Sequence, residues 1–223
     1  FMRDNNIFKD YICLHNRDDL FSKQLIKDKN FLSYKNFDFK DFDLTINQIK
    51  SDDLIPIRIG KHIIDKNKPN GLNYLDMTGA KSNFETDILL QNFAKFTIIS
   101  ASGLAAVSTT LRKPILNINY TPLNLGQLSY LSKNSMFIPK LIQNKSNGKL
   151  LKFSEISNLN FDIHQQGDFI ENQGLKIISN NNEEILKAYI EMNNSTECTK
   201  HYNKYPLYIK FLSNDEFKYL INE

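Results

Sequence analysis

The first half of the chain alternates short apolar runs with segments of helical periodicity. Most of the apolar runs are continuous, which is typical of strands that are covered on both faces. They therefore predict the strands of one buried sheet, over residues 11–14, 54–60, 72–77, 96–100 and 114–118.

Segments between these runs carry helical signals. Residues 41–50 place apolar side chains at helical spacing, with the first residue, an aspartate, as the predicted cap. Ser82 and Glu85 fit a Ser-x-x-Glu capping box, which predicts a helix that runs to about residue 94. Residues 102–111 predict a third helix.

This alternation predicts the fold class. Strands and helices that alternate over short connections favour a mainly parallel sheet with helices on both faces. The predicted fold is α/β, a Rossmann-like doubly wound domain. The pattern loosens after Ile118, and a clear helix returns at 181–192. We expect residues 1–193 to form this domain, and residues 194–223 to be a tail that packs on another domain.

Composition and charge exclude some classes of binding partner. The 223 residues include 28 basic and 25 acidic side chains, and the formal net charge of +3 is too balanced to indicate nucleic acid as a partner. The two cysteines, Cys13 and Cys198, have no spacing that suits a metal site. No apolar run approaches the roughly 20 residues that span a bilayer, so a cytoplasmic location is expected.

The first candidate site follows the first strand, at His15-Asn16-Arg17-Asp18-Asp19. Ligands of doubly wound sheets bind beyond the carboxyl ends of the strands, and the planar fork of an arginine matches phosphate oxygens. Arg17 is therefore a candidate diphosphate clamp. The alternative is a surface ion pair of Arg17 with Asp18 or Asp19, which contributes about 0–1 kcal/mol. His15 is a candidate base or ligand, with a structural hydrogen bond as its alternative.

The second candidate site lies at Ser100-Ala101-Ser102-Gly103, between a strand and a helix. Small residues allow close approach of a ligand, and a helix start attracts an anion such as phosphate. The alternative is a serine cap, with a glycine that serves tight packing of strand and helix. Neither a G-x-G-x-x-G motif nor a G-x-x-x-x-G-K-[ST] loop is present, so a standard dinucleotide or P-loop site is not supported.

Other candidates are weaker. Arg58-Ile59-Gly60 puts a second arginine at a strand end. The Asp52-Asp53 pair suits a solvated helix end, so we predict no metal held by the protein. Neither Cys13 nor Ser108 lies in a recognisable nucleophile motif, which argues against covalent hydrolase chemistry.

A set of segments in fixed order carries a family resemblance. Over roughly residues 10–193 the sequence resembles a bacterial glycosyltransferase family tied to surface polysaccharide biosynthesis. More remotely, the His-x-Arg strand end and the later serine-rich turn are similar to the donor half of GDP-fucose-dependent fucosyltransferases. The segments are "YICLHNRD", "YKNFDFKDF", "IPIRIG", "SNFETDILL", "FTIISASGLAAV", "KPILNINYTPL", "FIPKL" and "NQGLKIISNNNEEIL".

The resemblance implies the donor-binding, C-terminal half of a GT-B glycosyltransferase. Arg17 would clamp the donor diphosphate and stabilise the charge on the leaving nucleotide. The serines and Gly103 would receive phosphate or ribose, and Arg58 and Gly60 would line the same cleft. Asp87 matches an acidic position of the family, with a purely structural role as its alternative. The implied donor-binding positions are His15, Asn16, Arg17, Arg58, Gly60, Ser100, Ser102 and Gly103.

The resemblance also implies partners. The donor would be a nucleotide-sugar, with a GDP-sugar as one candidate, and no other cofactor is expected. The acceptor would be a glycan or a lipid-linked glycan, and the protein itself would lie in the cytoplasm or at the inner face of the membrane. Because the chain opens on Phe1, we expect the acceptor-binding half to lie upstream. The alternative function is a non-catalytic nucleotide- or glycan-binding module. The sequence departs from the family pattern at Lys35, where arginine is expected, and at Lys61, where an acidic residue is expected.

Overall fold

A computed structural model describes residues 2–5, 7–17, 33–61, 74–121, 135–159 and 170–195 of the chain. Most of the expected C-terminal tail, together with Asp18 and Asp19, lies outside these residues. The described strands are β1 (Tyr11–His15), β2 (Ile55–Arg58), β3 (Leu75–Asp76), β4 (Thr97–Ile99), β5 (Ile115–Tyr120), β6 (Met136–Pro139), β7 (Leu141–Asn144) and β8 (Leu175–Ile178).

The main sheet has six parallel strands in the order β3-β2-β1-β4-β5-β6. The chain builds outward from β1 in one direction and then, from β4, in the other. The strand order therefore reverses between β1 and β4, which is the topological switch point of a doubly wound sheet. The strands β7 and β8 form a separate antiparallel pair.

Helices cover both faces of this sheet. The described α-helices of five or more residues are α1 (Asp43–Ser51), α2 (Phe84–Phe93), α3 (Gly103–Thr110), α4 (Phe153–Ser157) and α5 (Asn182–Asn194). Apolar side chains of α1 and α5 share one core cluster with Ile12 and Leu14 of β1. Tyr11 and Cys13, which alternate with them, join Leu90 of α2 in a second cluster. The predicted doubly wound α/β fold is confirmed.

Burial explains why these strands read as continuous apolar runs. Ile12, Cys13 and Leu14 are all fully buried, although successive side chains point to opposite faces of the sheet. Both faces must therefore be apolar, and each such side chain contributes about 1.5–3 kcal/mol by leaving water.

Two predicted helix caps are wrong. A 3-10 turn (Phe39–Phe42) precedes α1, so the helix begins at Asp43, and Phe42 at the N-cap position makes no capping hydrogen bond with its side chain. At α2 the cap is Asn83, whose side-chain oxygen accepts from the backbone N–H of Thr86 at 2.7 Å. Ser82 lies one residue before the cap, and its hydroxyl donates to the carboxylate of Asp87.

The structure also adds strands that the sequence pattern did not predict. The strand β6 pairs with β5 at one edge of the sheet, and its four residues, although apolar, are only half-buried and end in a proline. The β7–β8 pair packs with α4 on a small cluster of its own that includes Ile142 and Ile156. The predicted helix near 181–192 is confirmed as α5. None of the helices in the described part of the chain is long and apolar enough to cross a membrane.

Candidate functional site

The two strand ends that the sequence singled out lie side by side. His15 at the end of β1 pairs with Ile99 at the end of β4, so Arg17 and Ser100 extend beyond adjacent strands. These ends flank the switch point, where a crevice opens outside the carboxyl edge of such a sheet. The fold therefore brings the two candidate clusters to one place.

Two cavities flank the start of α3 at this edge. The larger has a volume of about 540 Å³ and the smaller about 460 Å³. Both are lined by the same three residues at their junction, Arg17, Ser102 and Gly103. The larger cavity continues past His15, Lys61, Phe84 and Asp87, and the smaller past Lys35 and Asn117.

The start of α3 is open toward these cavities. Ser102 occupies the N-cap position but makes no capping hydrogen bond with its side chain. The hydroxyl oxygens of Ser100 and Ser102 are buried and have no hydrogen-bond partner in the described part of the chain. A Cβ atom added to Gly103 would meet nothing within 4 Å. Neither the serine cap nor the tight-packing glycine is therefore realised, and an anion has room at this helix start.

Arg17 stands between the two cavities. Its side chain is half-buried, and the backbone N–H of Phe37 donates to its carbonyl oxygen at 3.3 Å. On the side of the smaller cavity, Lys35 lies close enough that burial and then the charge of Arg17 lower the pKa of its amine. Positive charge is thus concentrated where the cavities meet.

His15 has one fixed ring nitrogen. Its Nδ1 lies 3.1 Å from the carbonyl oxygen of Ile59, which can only accept, so Nδ1 carries the proton and donates. Burial lowers the pKa of His15 to about 4, although the bond to Ile59 opposes this, and the charges of Arg17 and Arg58 lower it further. At neutral pH the ring is uncharged, and its Nε2 is a hydrogen-bond acceptor.

Asn16 and Arg58 differ in their relation to the cavities. Asn16 is buried and lines only the larger cavity, and its Nδ2 donates to the carbonyl oxygen of Phe37 at 3.3 Å. Arg58 is only 1% exposed and lines neither of the two cavities. The structure therefore places Arg58 behind the lining, rather than on it as the resemblance implied.

The backbone conformation at position 60 favours glycine. Its φ of 119° lies in the region that side chains rarely adopt. The chain turns there directly after β2, and the backbone N–H of Gly60 interacts with the Asp87 carboxylate. Like Arg58, Gly60 does not line either of the two cavities.

Asp87 faces the larger cavity, where the sequence had left its role open. Its Oδ2 accepts from the hydroxyl of Ser82 at 3.1 Å, whereas its Oδ1 has no hydrogen-bond partner in the described residues. Burial raises the pKa of this carboxyl group, and the bonds from Ser82 and Gly60 oppose that shift. Hydrophobic periodicity marks only the residues of α2 that pack on the sheet. It could not show that Asp87 is buried on the cavity wall.

Some chemistries find no support in the described ranges. They contain no group of three or more His, Cys, Asp and Glu side chains that could hold a metal ion. Burial raises the pKa of the Cys13 thiol, which therefore stays protonated and unreactive. The Ser108 hydroxyl donates to Gln91 and lies within hydrogen-bond distance of the Thr97 hydroxyl inside the core, so it is structural.

Neither a family model nor a curated protein matches the sequence. Among the solved structures that are similar to the chain are two of TibC. One is the dodecameric iron-containing heptosyltransferase TibC in complex with ADP-D-beta-D-heptose, with 17% identity and a TM-score of 0.46 over 82% of this chain. The other is the dodecameric iron-containing glycosyltransferase TibC from enterotoxigenic E. coli H10407, with 18% identity and a TM-score of 0.44 over 83% of this chain. The match spans 46% of each TibC chain, less than half its length.

Proposed function

We propose that this chain is the donor-binding half of a glycosyltransferase that uses a nucleotide-sugar. The observation that carries the proposal is the junction of the two cavities, where Arg17 stands beside the open start of α3. A diphosphate needs fixed positive charge and hydrogen-bond donors, and both converge there. The order of the family-like segments along the chain supports the same assignment.

The charges around the junction favour an anionic ligand. Arg17, Lys35 and Lys61 line the cavities, and Arg58 adds a buried charge behind them. Each charge-assisted hydrogen bond to phosphate contributes about 1.5–3 kcal/mol, and the helix start adds about 0.3–1 kcal/mol. Several such contacts together are enough to hold a diphosphate.

The shape of the site suits a ligand in three parts. The two volumes, about 540 and 460 Å³, are each of the size of a small-molecule pocket. A nucleotide-sugar has a nucleoside at one end, a sugar at the other and a diphosphate between them. With the diphosphate at the shared residues, the two ends would occupy separate cavities.

The same groups suit the chemistry of glycosyl transfer. The bond from the anomeric carbon to the diphosphate oxygen breaks, and its electron pair stays with the nucleoside diphosphate. The acceptor hydroxyl oxygen bonds to that carbon and gives its proton to a base. Arg17 and the start of α3 would stabilise the negative charge that develops on the leaving diphosphate. The acceptor, a glycan of surface polysaccharide synthesis, and its binding half upstream are part of the proposal.

Calorimetry with the full chain tests the assignment. We expect one of GDP, UDP, ADP, CMP or their sugars to bind, and Arg17→Ala to abolish that binding. Arg112→Ala is the matched control, because Arg112 is an exposed arginine just beyond the other end of α3. Unchanged affinity in Arg17→Ala would contradict the proposal. Binding by a longer chain that includes the upstream half, but without sugar transfer, would favour the non-catalytic binding module.

A further inference from the structure

Arg58 is a buried cation whose described contacts are all uncharged. Its guanidinium carbon lies 3.9 Å from the centre of the Phe39 ring, and its Nη2 donates to Oδ1 of Asn16 at 3.4 Å. Its Nε and Nη1 have no hydrogen-bond partner among the described residues. Because a buried charge usually needs an ion pair and a full set of hydrogen bonds, this arrangement is costly for the fold.

The contacts of Arg58 lead to the proposed phosphate clamp. Arg58 holds the side-chain oxygen of Asn16, and the amide nitrogen of Asn16 donates to the carbonyl oxygen of Phe37. The backbone N–H of Phe37 in turn donates to the carbonyl oxygen of Arg17. Arg58 therefore braces the segment that carries Arg17, without itself lining the cavities.

The aromatic rings next to Arg58 hold its contacts in place. Phe39, on which the guanidinium packs, makes an edge contact with Phe42 at 5.2 Å between ring centres. Phe37 makes a similar contact with Phe42 at 5.4 Å. Phe39, which contacts Arg58 directly, and Phe37, which contacts it through Asn16, therefore both pack on Phe42.

The charge of Arg58 also reaches the cavity wall. It is one of two positive charges, with Arg17, that lower the pKa of His15, after burial itself. The other titratable groups on the wall beside His15 are Lys61 and Asp87. Against that setting, Arg58 supplies a positive field to the cavity from a position that solvent does not screen.

From these contacts we infer that Arg58 is a positioning residue of the anion site, which orders Arg17 through Asn16 and adds positive charge beneath it at a cost in stability. This inference rests on the proposed function, because it takes a diphosphate as the ligand. It differs from the role that the resemblance implied, which was direct contact with the donor. An ordinary core arginine would be retained for packing alone.

Arg58→Met and Arg58→Lys separate these roles in the full chain. We would measure the affinity for inorganic pyrophosphate by calorimetry, the pKa of His15 by NMR titration of its ring, and the Tm. Methionine keeps the apolar length but removes the charge, and lysine keeps the charge but loses the planar fork. Ile46→Val, which trims an apolar side chain in the core cluster of Phe39 and changes no charge, is the control for packing.

We expect Arg58→Met to weaken pyrophosphate binding about tenfold or more and to raise the pKa of His15, without lowering the Tm. Arg58→Lys should keep the low pKa of His15 and recover part of the affinity. Ile46→Val should lower the Tm slightly and leave the affinity unchanged.

The inference is overturned if Arg58→Met lowers the Tm while affinity and the pKa of His15 stay as in the parent chain. If that variant does not fold, Arg58→Lys decides, because a raised pKa of His15 there contradicts the role of the charge. Pyrophosphate binding that survives Arg17→Ala would instead count against the proposed function itself. The two failures are therefore distinguishable.

Discussion

Nδ1 of His15 lies 3.1 Å from the carbonyl oxygen of Ile59, so the tautomer of this histidine is set by the strand end next to it. Ile59 follows β2, the strand beside β1, and its own N–H donates to the carbonyl oxygen of Leu14 at 3.0 Å. The two strand ends are therefore tied together by two hydrogen bonds. His15 lines the larger cavity with its Nε2 free of the proton, and the protonation of its ring is tied to the stability of the fold.

The acid side of the stability curve should report this protonation. The folded pKa of His15 is about 4, below the ordinary histidine value of 6.5, so the unfolded chain binds the proton more readily between these two values. The contribution of neutral His15 to the free energy of unfolding is fully present above pH 6.5 and is lost as the pH falls toward 4. We expect His15→Asn, which can still donate to Ile59, to lose less stability over this range. Thermal melts from pH 4 to 7 check it, and equal slopes in both proteins would show that His15 does not titrate in this way.

Gly103→Ala separates ligand binding from packing at the start of α3. Its added methyl group would meet nothing within 4 Å, and alanine is the better helix former, so we expect an equal or higher Tm. The same methyl group stands at the junction of both cavities, so pyrophosphate affinity should fall several-fold.

The control for this variant is Gly148→Ala, in a turn far from the site along the chain. The φ of 69° at Gly148 predicts a lower Tm for its alanine variant with unchanged affinity. A lower Tm for Gly103→Ala would show instead that Gly103 serves the packing of the helix.

Asp87→Asn should strengthen the binding of anions. Burial holds the pKa of Asp87 above its ordinary value, so the ionised form costs stability increasingly as the pH rises through the folded pKa. Asparagine removes this cost and the repulsion of a phosphate, so we expect tighter pyrophosphate binding by a few-fold at pH 7. Relative to the parent chain, its Tm should also be higher at pH 7 than at pH 4.

Glu85→Gln is the matched control for this prediction. Glu85 lies in the same first turn of α2 but is exposed, so its loss should change neither quantity appreciably. A pyrophosphate affinity of Asp87→Asn equal to that of Glu85→Gln would show that the Asp87 carboxylate does not face the bound anion.

The fold could be predicted from the sequence because strands that are buried on both faces are continuous apolar runs. A strand such as β1 must be apolar at each of its fully buried positions, so its run is visible without knowledge of its neighbours. The strands β7 and β8 form no such run, since most of their residues are half-buried and polar residues interrupt them. The cap at α2 could not be chosen either, because Ser82 and Asn83 are both good caps and the choice depends on Asp87.

The site could be predicted only in part, for a related reason. The position of Arg17 after a strand is a local feature, and the rule of the switch point gives it meaning. The burial of Arg58 against Phe39 and the position of Asp87 on the wall of the larger cavity depend on which elements pack together, and no local pattern encodes that. The sequence could therefore indicate which strand ends to inspect, but not which side chains face the cavities.

The outer strands of the sheet limit how this domain can meet another. At one edge β3 is only two residues long, and at the other β6 ends in Pro139, which has no N–H to donate. Short or proline-bearing edges are poor templates for the addition of a further strand. A partner that meets this sheet at either edge is therefore expected to dock through side chains rather than by adding a strand to it.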